Sequence, residues 1–151
     1  DYCSPDSYTY EQAFQVMRRL GLPMDQMEEL FRRMTFNVVA RNQDDHVKNI
    51  AFLMDREGVW SLAPAYDVTW AMDPTNKWLR QHQMSVNGRR DDFTRADLEA
   101  CAATASINAA RARAIIDEVV ATVTDWPGFA EAAEVDEAMR ASIDPSLRVN
   151  L

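Results

Sequence analysis

A helical apolar stripe that runs straight into a polar octapeptide constrains this chain more than any other feature. Met27, Leu30, Phe31, Met34 and Val38 recur at three- and four-residue spacing, which puts them on one face of a helix. Pro23 suits that helix's first turn. The helix is expected to run to about Ala40 and to deliver the chain into Asn42-Gln43-Asp44-Asp45-His46-Val47-Lys48-Asn49. There the period changes. Ile50 to Met54 and Val59 to Leu62 are short strand-like runs around Asp55-Arg56-Glu57-Gly58, a turn-forming tetrapeptide, and Pro64 ends the second run. A polar loop is thus pinned between a long helix and a hairpin.

The flanking sequence reads as helix. Thr9-Tyr10-Glu11-Gln12 has the pattern of a capping box, with a helix following through Ala13, Val16, Met17 and Leu20 and closed by Gly21. Thr94-Arg95-Ala96-Asp97 looks like another helix start, and the Ala-rich stretch to Ala105 continues it. Asn108 can cap a longer helix through Ile115, Ile116, Val119, Val120 and Val123, ended near Trp126-Pro127-Gly128. A last helix is expected from about Ala130 to Ile143, stopping at Asp144-Pro145. Residues 69–93 show no period and read as a long loop with at most short turns, of a length that in a compact domain is usually functional or mobile. No repeat or linker divides the chain, so residues 1–151 read as one domain, mainly α with one small β-hairpin.

Composition narrows the classes. A length of 151 residues, 47% of them apolar, suffices to bury a core, and only 4 Gly and 6 Pro speak against low complexity. The net charge of −8 argues against this chain gripping nucleic acid by itself. Charge is unevenly spread. Ala114 to Met139 holds Asp117, Glu118, Asp125, Glu131, Glu134, Asp136 and Glu137 but no Lys or Arg, whereas Lys77, Arg80, Arg89, Arg90 and Arg95 share a stretch with only Asp91 and Asp92. Both read as solvated faces. Cys3 and Cys101 have neither metal-site nor disulfide spacing, which fits a reduced, cytoplasmic protein. No apolar run approaches the ~18–20 residues that span a membrane, and Asp1 opens a polar segment without signal-peptide character. Without an initiator Met, the chain is expected to be a piece of a longer protein.

The octapeptide carries the chemistry. Asp44 followed five residues later by Asn49 has the spacing of a phosphotransferase catalytic loop, in which the Asp takes the proton of the attacking hydroxyl and the Asn offers oxygen to Mg²⁺ on the ATP phosphates. Asp67, eighteen residues after Asn49 and beyond the hairpin, stands where a kinase places its second magnesium-binding carboxylate. His46 occupies a position where kinases often carry a phosphate-contacting Lys, and Lys48 can also face phosphate. Asp45 is ambiguous, because adjacent loop carboxylates point in different directions. Zinc is the rival use of Asp44, Asp45 and His46, but no second His or Cys lies near them in sequence.

With these residues in place a family resemblance emerges. Met34-Thr35-Phe36-Asn37-Val38-Val39-Ala40-Arg41, continued through Asn49, resembles the catalytic segment of the HipA toxin kinases. Ala51-Phe52-Leu53-Met54 and Leu62-Ala63-Pro64-Ala65-Tyr66-Asp67-Val68 continue the likeness at that family's spacing, from about Glu29 to Val68. The resemblance implies the helical C-terminal lobe of a two-lobed protein-kinase-like fold. It implies a serine/threonine kinase acting as the toxin of a type II toxin–antitoxin system, transferring the ATP γ-phosphate to a protein hydroxyl. Asp44 would be the catalytic base, Asn49 and Asp67 the Mg²⁺ ligands, and His46, Val47, Lys48, Asn49, Tyr66 and Asp67 the lining of the ATP phosphates. The implied partners are a protein substrate, an aminoacyl-tRNA synthetase in characterised members, and a helix-turn-helix antitoxin, with DNA reached only through the antitoxin and no membrane involved.

The likeness has gaps. The family's nucleotide-binding N-terminal lobe has no counterpart in these residues, so the chain alone is expected to be inactive. Ala103 and Ser106 fall in the helix where basic DNA-facing residues would be sought. Two alternatives remain beside the kinase lobe: a module that binds a partner without catalysis, and a Mg²⁺-dependent phosphotransferase acting on a non-protein substrate.

Overall fold

The first helix, α1 (Tyr10–Arg19), begins where the capping box predicts. In the computed structural model, which describes residues 8–151, Thr9 Oγ1 accepts from Gln12 N at 3.1 Å and Gln12 Oε1 accepts from Thr9 N at 3.0 Å. Cys3 lies outside the described residues. Gly21, at φ +75°, closes the helix in the left-handed region that favours glycine.

The second helix, α2 (Met24–Val39), buries Met27, Leu30, Phe31, Met34 and Val38, the predicted stripe. Pro23 is its N-cap rather than a first-turn residue, because its ψ of 166° is extended. Strands β1 (Phe52–Met54) and β2 (Trp60–Leu62) pair antiparallel with Leu53 opposite Ser61. They are shorter than the apolar runs. Ile50 caps a 3-10 turn instead, and Val59 N donates to Asp55 Oδ1 at 2.8 Å within the turn.

Helix α3 (Arg95–Thr104) opens on a second capping box, Thr94 with Asp97, and Asn108 caps α4 (Ala109–Thr124). Ser106 stands beyond α3 at φ +61°, where its Oγ accepts from Arg18 at 2.9 Å. The single helix expected from Ala130 to Ile143 is instead two, α5 (Trp126–Ala132) and α6 (Glu137–Ile143). Pro127 near a helix start is as compatible with beginning as with ending one, so α5 begins at Trp126. Asp136 then caps α6 by accepting from Met139 N.

One apolar cluster joins α1 to α4, with Phe14, Met17, Phe31, Met34, Leu98, Ile115 and Ile116 fully buried. Each such side chain contributes about 1.5–3 kcal/mol on burial. Segment 69–93 contains no helix or extended strand, as expected, yet it is tightly tied. Ala71 N donates to Arg41 O and Ala71 O accepts from Gln43 N, both at 3.0 Å, and Ser85 bonds to the backbone of Tyr8 and Tyr10. Met84, Val86 and Phe93 enter the core. Its basic residues are not all solvated, since Arg90 is buried and donates to the carbonyls of His82 and Gln83. Among the described residues no helix is long and apolar enough to cross a membrane.

Candidate functional site

The octapeptide is fixed from behind. Arg41 leaves α2 at φ +59°, and Asn42 turns back, its backbone N donating to Asn37 O at 2.9 Å and its Nδ2 to Asn37 Oδ1 at 3.0 Å. Asp45 is 2% exposed and accepts three hydrogen bonds, from Tyr10 Oη (2.9 Å), His82 Nδ1 (2.9 Å) and Gln83 N (2.8 Å). Asn37 Nδ2 in turn donates to Tyr10 Oη at 3.0 Å. On the other side of the imidazole, His82 Nε2 meets Arg148 Nη1 at 3.0 Å. A guanidinium only donates, so Nε2 is the acceptor and Nδ1 carries the proton given to Asp45.

This buried network moves the acidities of its members. Burial, reinforced by the Asp45 charge, holds the Tyr10 phenol well above its ordinary range. Burial, with Arg41 nearby, lowers Arg148 to about 10. The ambiguity over Asp45 resolves here: its carboxylate is saturated by protein donors and acts as a bracket for the loop. Sequence reasoning missed Tyr10, His82, Gln83 and Arg148 as the partners of this bracket. They come from an amphipathic helix, an aperiodic loop and the last turn of chain, and no local signal joins them.

The front of the loop is different. Asp44 is half-buried, and among the described residues its carboxylate forms no hydrogen bond or ion pair, although its backbone carbonyl accepts from His46 N at 2.9 Å. Val47–Asn49 form a 3-10 turn. Asn49 Nδ2 donates both to Asp44 O, at 3.2 Å, and to Asp67 Oδ2, at 3.1 Å. Asp67 sits exposed just past the hairpin at φ +54°, a conformation uncommon for a residue with a side chain. Tyr66 Oη donates to Lys48 O. Of the residues singled out from sequence, Asp44, Asn49 and Asp67 therefore meet through one amide, Tyr66 and Lys48 meet beside them, and Val47 packs against the apolar core.

A cavity of about 300 Å³ adjoins this cluster, lined by His46, Asn49, Tyr66 and Asp67 together with Phe36 and Asn37 of α2. Three polar atoms of its lining residues, His46 Nδ1, Asn42 Oδ1 and Arg32 Nη1, are buried without a hydrogen-bond partner among the described residues. The donor set suits a hard cation. Asp67 brings a carboxylate and Asn49 an amide oxygen, and Mg²⁺ typically takes one or two carboxylates with phosphate and water completing its shell. No three His, Cys, Asp or Glu side chains converge among the described residues, so the set that zinc favours is not assembled at Asp44, Asp45 and His46.

Comparison with known proteins follows this geometry. The model of the HipA-like C-terminal domain matches residues 2–126. Among solved structures, the chain superposes with a TM-score of 0.73 on the Shewanella oneidensis MR-1 toxin–antitoxin system HipA, HipB and its operator DNA complex. The two are 18% identical, and the alignment covers 96% of this chain but only 34% of that one. At that identity the likeness concerns the fold. No curated protein sequence matches the chain.

Proposed function

The chain belongs to the HipA-like C-terminal domain family, and from that premise we propose that it is the catalytic lobe of a serine/threonine protein kinase. The observation that carries this reading is the Asn49 amide, which ties the Asp44 backbone to the Asp67 carboxylate and so closes loop and hairpin into one oxygen-rich site. Bound Mg·ATP supplies the transferable phosphoryl group and neutralises its charge. The chain's own residues do the rest. The Asp44 carboxylate, which no donor among the described residues occupies, accepts the proton of the substrate hydroxyl. Asp67, with Asn49 once its amide oxygen is turned toward the ion, would hold the cation, and His46, which lines the cavity, would face the phosphates together with Lys48.

The same reading extends to partners. A protein hydroxyl is the acceptor, and by analogy with the HipA–HipB–DNA complex a DNA-binding antitoxin is the binding partner, all in the cytoplasm. The chain spans about a third of the solved protein it matches, so catalysis is assigned to this lobe acting with a nucleotide-binding lobe.

The test is transfer of radiolabelled γ-phosphate to protein by the polypeptide of the full reading frame. Asp44→Ala is expected to lower the rate by about 10²–10⁴-fold, the usual contribution of a general base, while Mg·ATP affinity stays nearly unchanged. Undiminished transfer in the variant overturns the assignment.

A further inference from the structure

A second concavity, of about 610 Å³, lies between residues 68–70 and the α5–α6 pair. Its wall is apolar, with Phe36, Trp70, Trp126, Phe129, Met139 and Ile143 contributing. Ile143 is buried, but Phe129 is 57% exposed and Met139 53%. The feature is thus a groove with a packed floor and an open lip. Large apolar side chains left in water side by side mark an interaction surface.

A polar atom in the wall points the same way. Trp126 Nε1 is buried without a hydrogen-bond partner among the described residues. An indole N–H can only donate, so an occupant of the groove that brings an oxygen would satisfy it.

Charge names the kind of occupant. Trp126, Phe129, Val135 and Met139 of the wall belong to the stretch Ala114 to Met139, which has no Lys or Arg. Asp125, Glu131, Glu134, Asp136 and Glu137 alternate there with the wall residues, and all five are exposed. Among the described residues only Glu137 of these five is in an ion pair, with Arg140 at 3.0 Å. A groove walled by α5 and α6, whose outer positions carry exposed carboxylates such as Glu131, disfavours nucleic acid and anionic lipid and favours a cationic segment with one apolar face.

We propose that this groove docks a basic amphipathic segment of a partner protein. Its apolar side chains fill the space between Trp126, Phe129 and Met139, its Lys or Arg residues face the carboxylates, and one oxygen accepts from Trp126 Nε1. This is the helix-in-groove mode of recognition. The groove shares Phe36, Val68 and Thr122 with the cavity beside Asn49, but none of its residues belongs to the Asp44–Asn49–Asp67 cluster, so its occupancy is tested apart from the kinase assignment.

The experiment titrates the 151-residue chain into three fluorescein-labelled peptides about 18 residues long. One is a Leu/Lys peptide with a single apolar helical face, the second has the same composition with the face scrambled, and the third replaces Lys by Glu in the first pattern. The faced Leu/Lys peptide is expected to bind at micromolar Kd and to shift the tryptophan emission, with the other two at least about tenfold weaker. Phe129→Ala, an exposed position whose loss leaves the core intact, and the double variant Glu131→Lys/Glu134→Lys are each expected to weaken the faced peptide about tenfold. Equal binding by the scrambled or Glu peptide overturns the proposal, as does a Phe129→Ala chain that binds like the parent. Phe129-dependent binding of anionic vesicles or duplex DNA, or a Phe129-dependent dimer in sedimentation, would also overturn it in favour of that other occupant.

Discussion

The two halves of the loop between α2 and β1 are built to opposite standards. Asn42, Gln43 and Asp45 are at most 2% exposed and are stitched to α1, to α2 and to segment 69–93. His46 caps one short turn, Val47–Asn49, which is only partly buried and is tied forward to Tyr66 and Asp67 by a few polar contacts. Asp44 and Asp45 sit on either side of this divide. Among the described residues one carboxylate has no partner and the other has three. Of two adjacent residues of the same type, Asp45 supports the loop, because a carboxylate already accepting three hydrogen bonds is poorly placed to accept a proton from substrate, and Asp44 is left open for the role proposed for it.

The sharpest way to break this contrast is to make the same change on both sides of it. Asp44→Ala is expected to remove phosphoryl transfer by the factor given above and to leave thermal unfolding within about 1 °C of the parent. Asp45→Ala strands Tyr10 Oη, His82 Nδ1 and Gln83 N in a dry interior. It is expected to cost about 3 kcal/mol or more, a fall in melting temperature of about 10 °C. Circular-dichroism melts of both variants decide the matter, and a destabilised Asp44→Ala with an unaffected Asp45→Ala would invert the comparison.

A smaller effect is expected at the front of the site. Asp67→Asn removes a charge that would face the cation, so Mg·ATP affinity of the full-frame protein should fall about tenfold while affinity for metal-free ATP holds or improves slightly. Equal losses with and without Mg²⁺ would move Asp67 to the supporting half. The 151-residue chain itself has no glycine-rich phosphate cradle: Gly21, Gly58 and Gly88 occupy turns at positive φ and Gly128 lies in α5. Calorimetry of this chain should therefore give a Kd for Mg·ATP no tighter than about millimolar, and micromolar binding would contradict that.

The smallest predicted effect concerns alkali. Burial, and then Asp45, raises the Tyr10 phenol, and burial, and then Glu11, raises the Cys101 thiol. The folded chain therefore keeps protons that the unfolded chain releases. Stability from this source is whole below about pH 8.5 and is lost as pH rises through the unfolded-state values of Cys and Tyr. Arg148 acts in the opposite sense, since its lowered folded value favours the folded state only above about 10. Between pH 8 and 9 the first effect acts alone, and urea melts should show a loss of about 0.7 kcal/mol. A midpoint that rises over that range would contradict the buried network as described.

What could be read in advance depended on distance along the chain. The capping boxes at Thr9–Gln12 and Thr94–Asp97, the α2 stripe and the Asp55–Gly58 turn are each settled within a few residues, so their signals are local and legible. So was the front of the site, where spacing and hairpin together bring Asn49 to Asp67. The bracket behind it was not legible. Asp45 finds Tyr10 across 35 residues and His82 across 37, and pairing over such separations leaves no periodicity in the sequence. The break between α5 and α6 escaped for another reason. Alanine fills much of residues 130–142, and with few large apolar side chains there was no stripe whose phase could reveal an interruption.

The tie made by Arg148 has a consequence for the order in which the molecule can be completed. Its backbone N donates to Val39 O at 2.9 Å, and its guanidinium reaches Val38 O, His82 Nε2 and Asp91. The loop's rear support is thus finished by a residue more than a hundred positions after the helix that launches the loop. On a ribosome, where chains emerge from the N-terminus, the four-helix core can assemble while His82 still lacks its cationic neighbour. The loop after α2 gains its last brace only when synthesis has passed residue 148, so a nascent or prematurely terminated chain holds Asp45 by Tyr10, His82 and Gln83 alone.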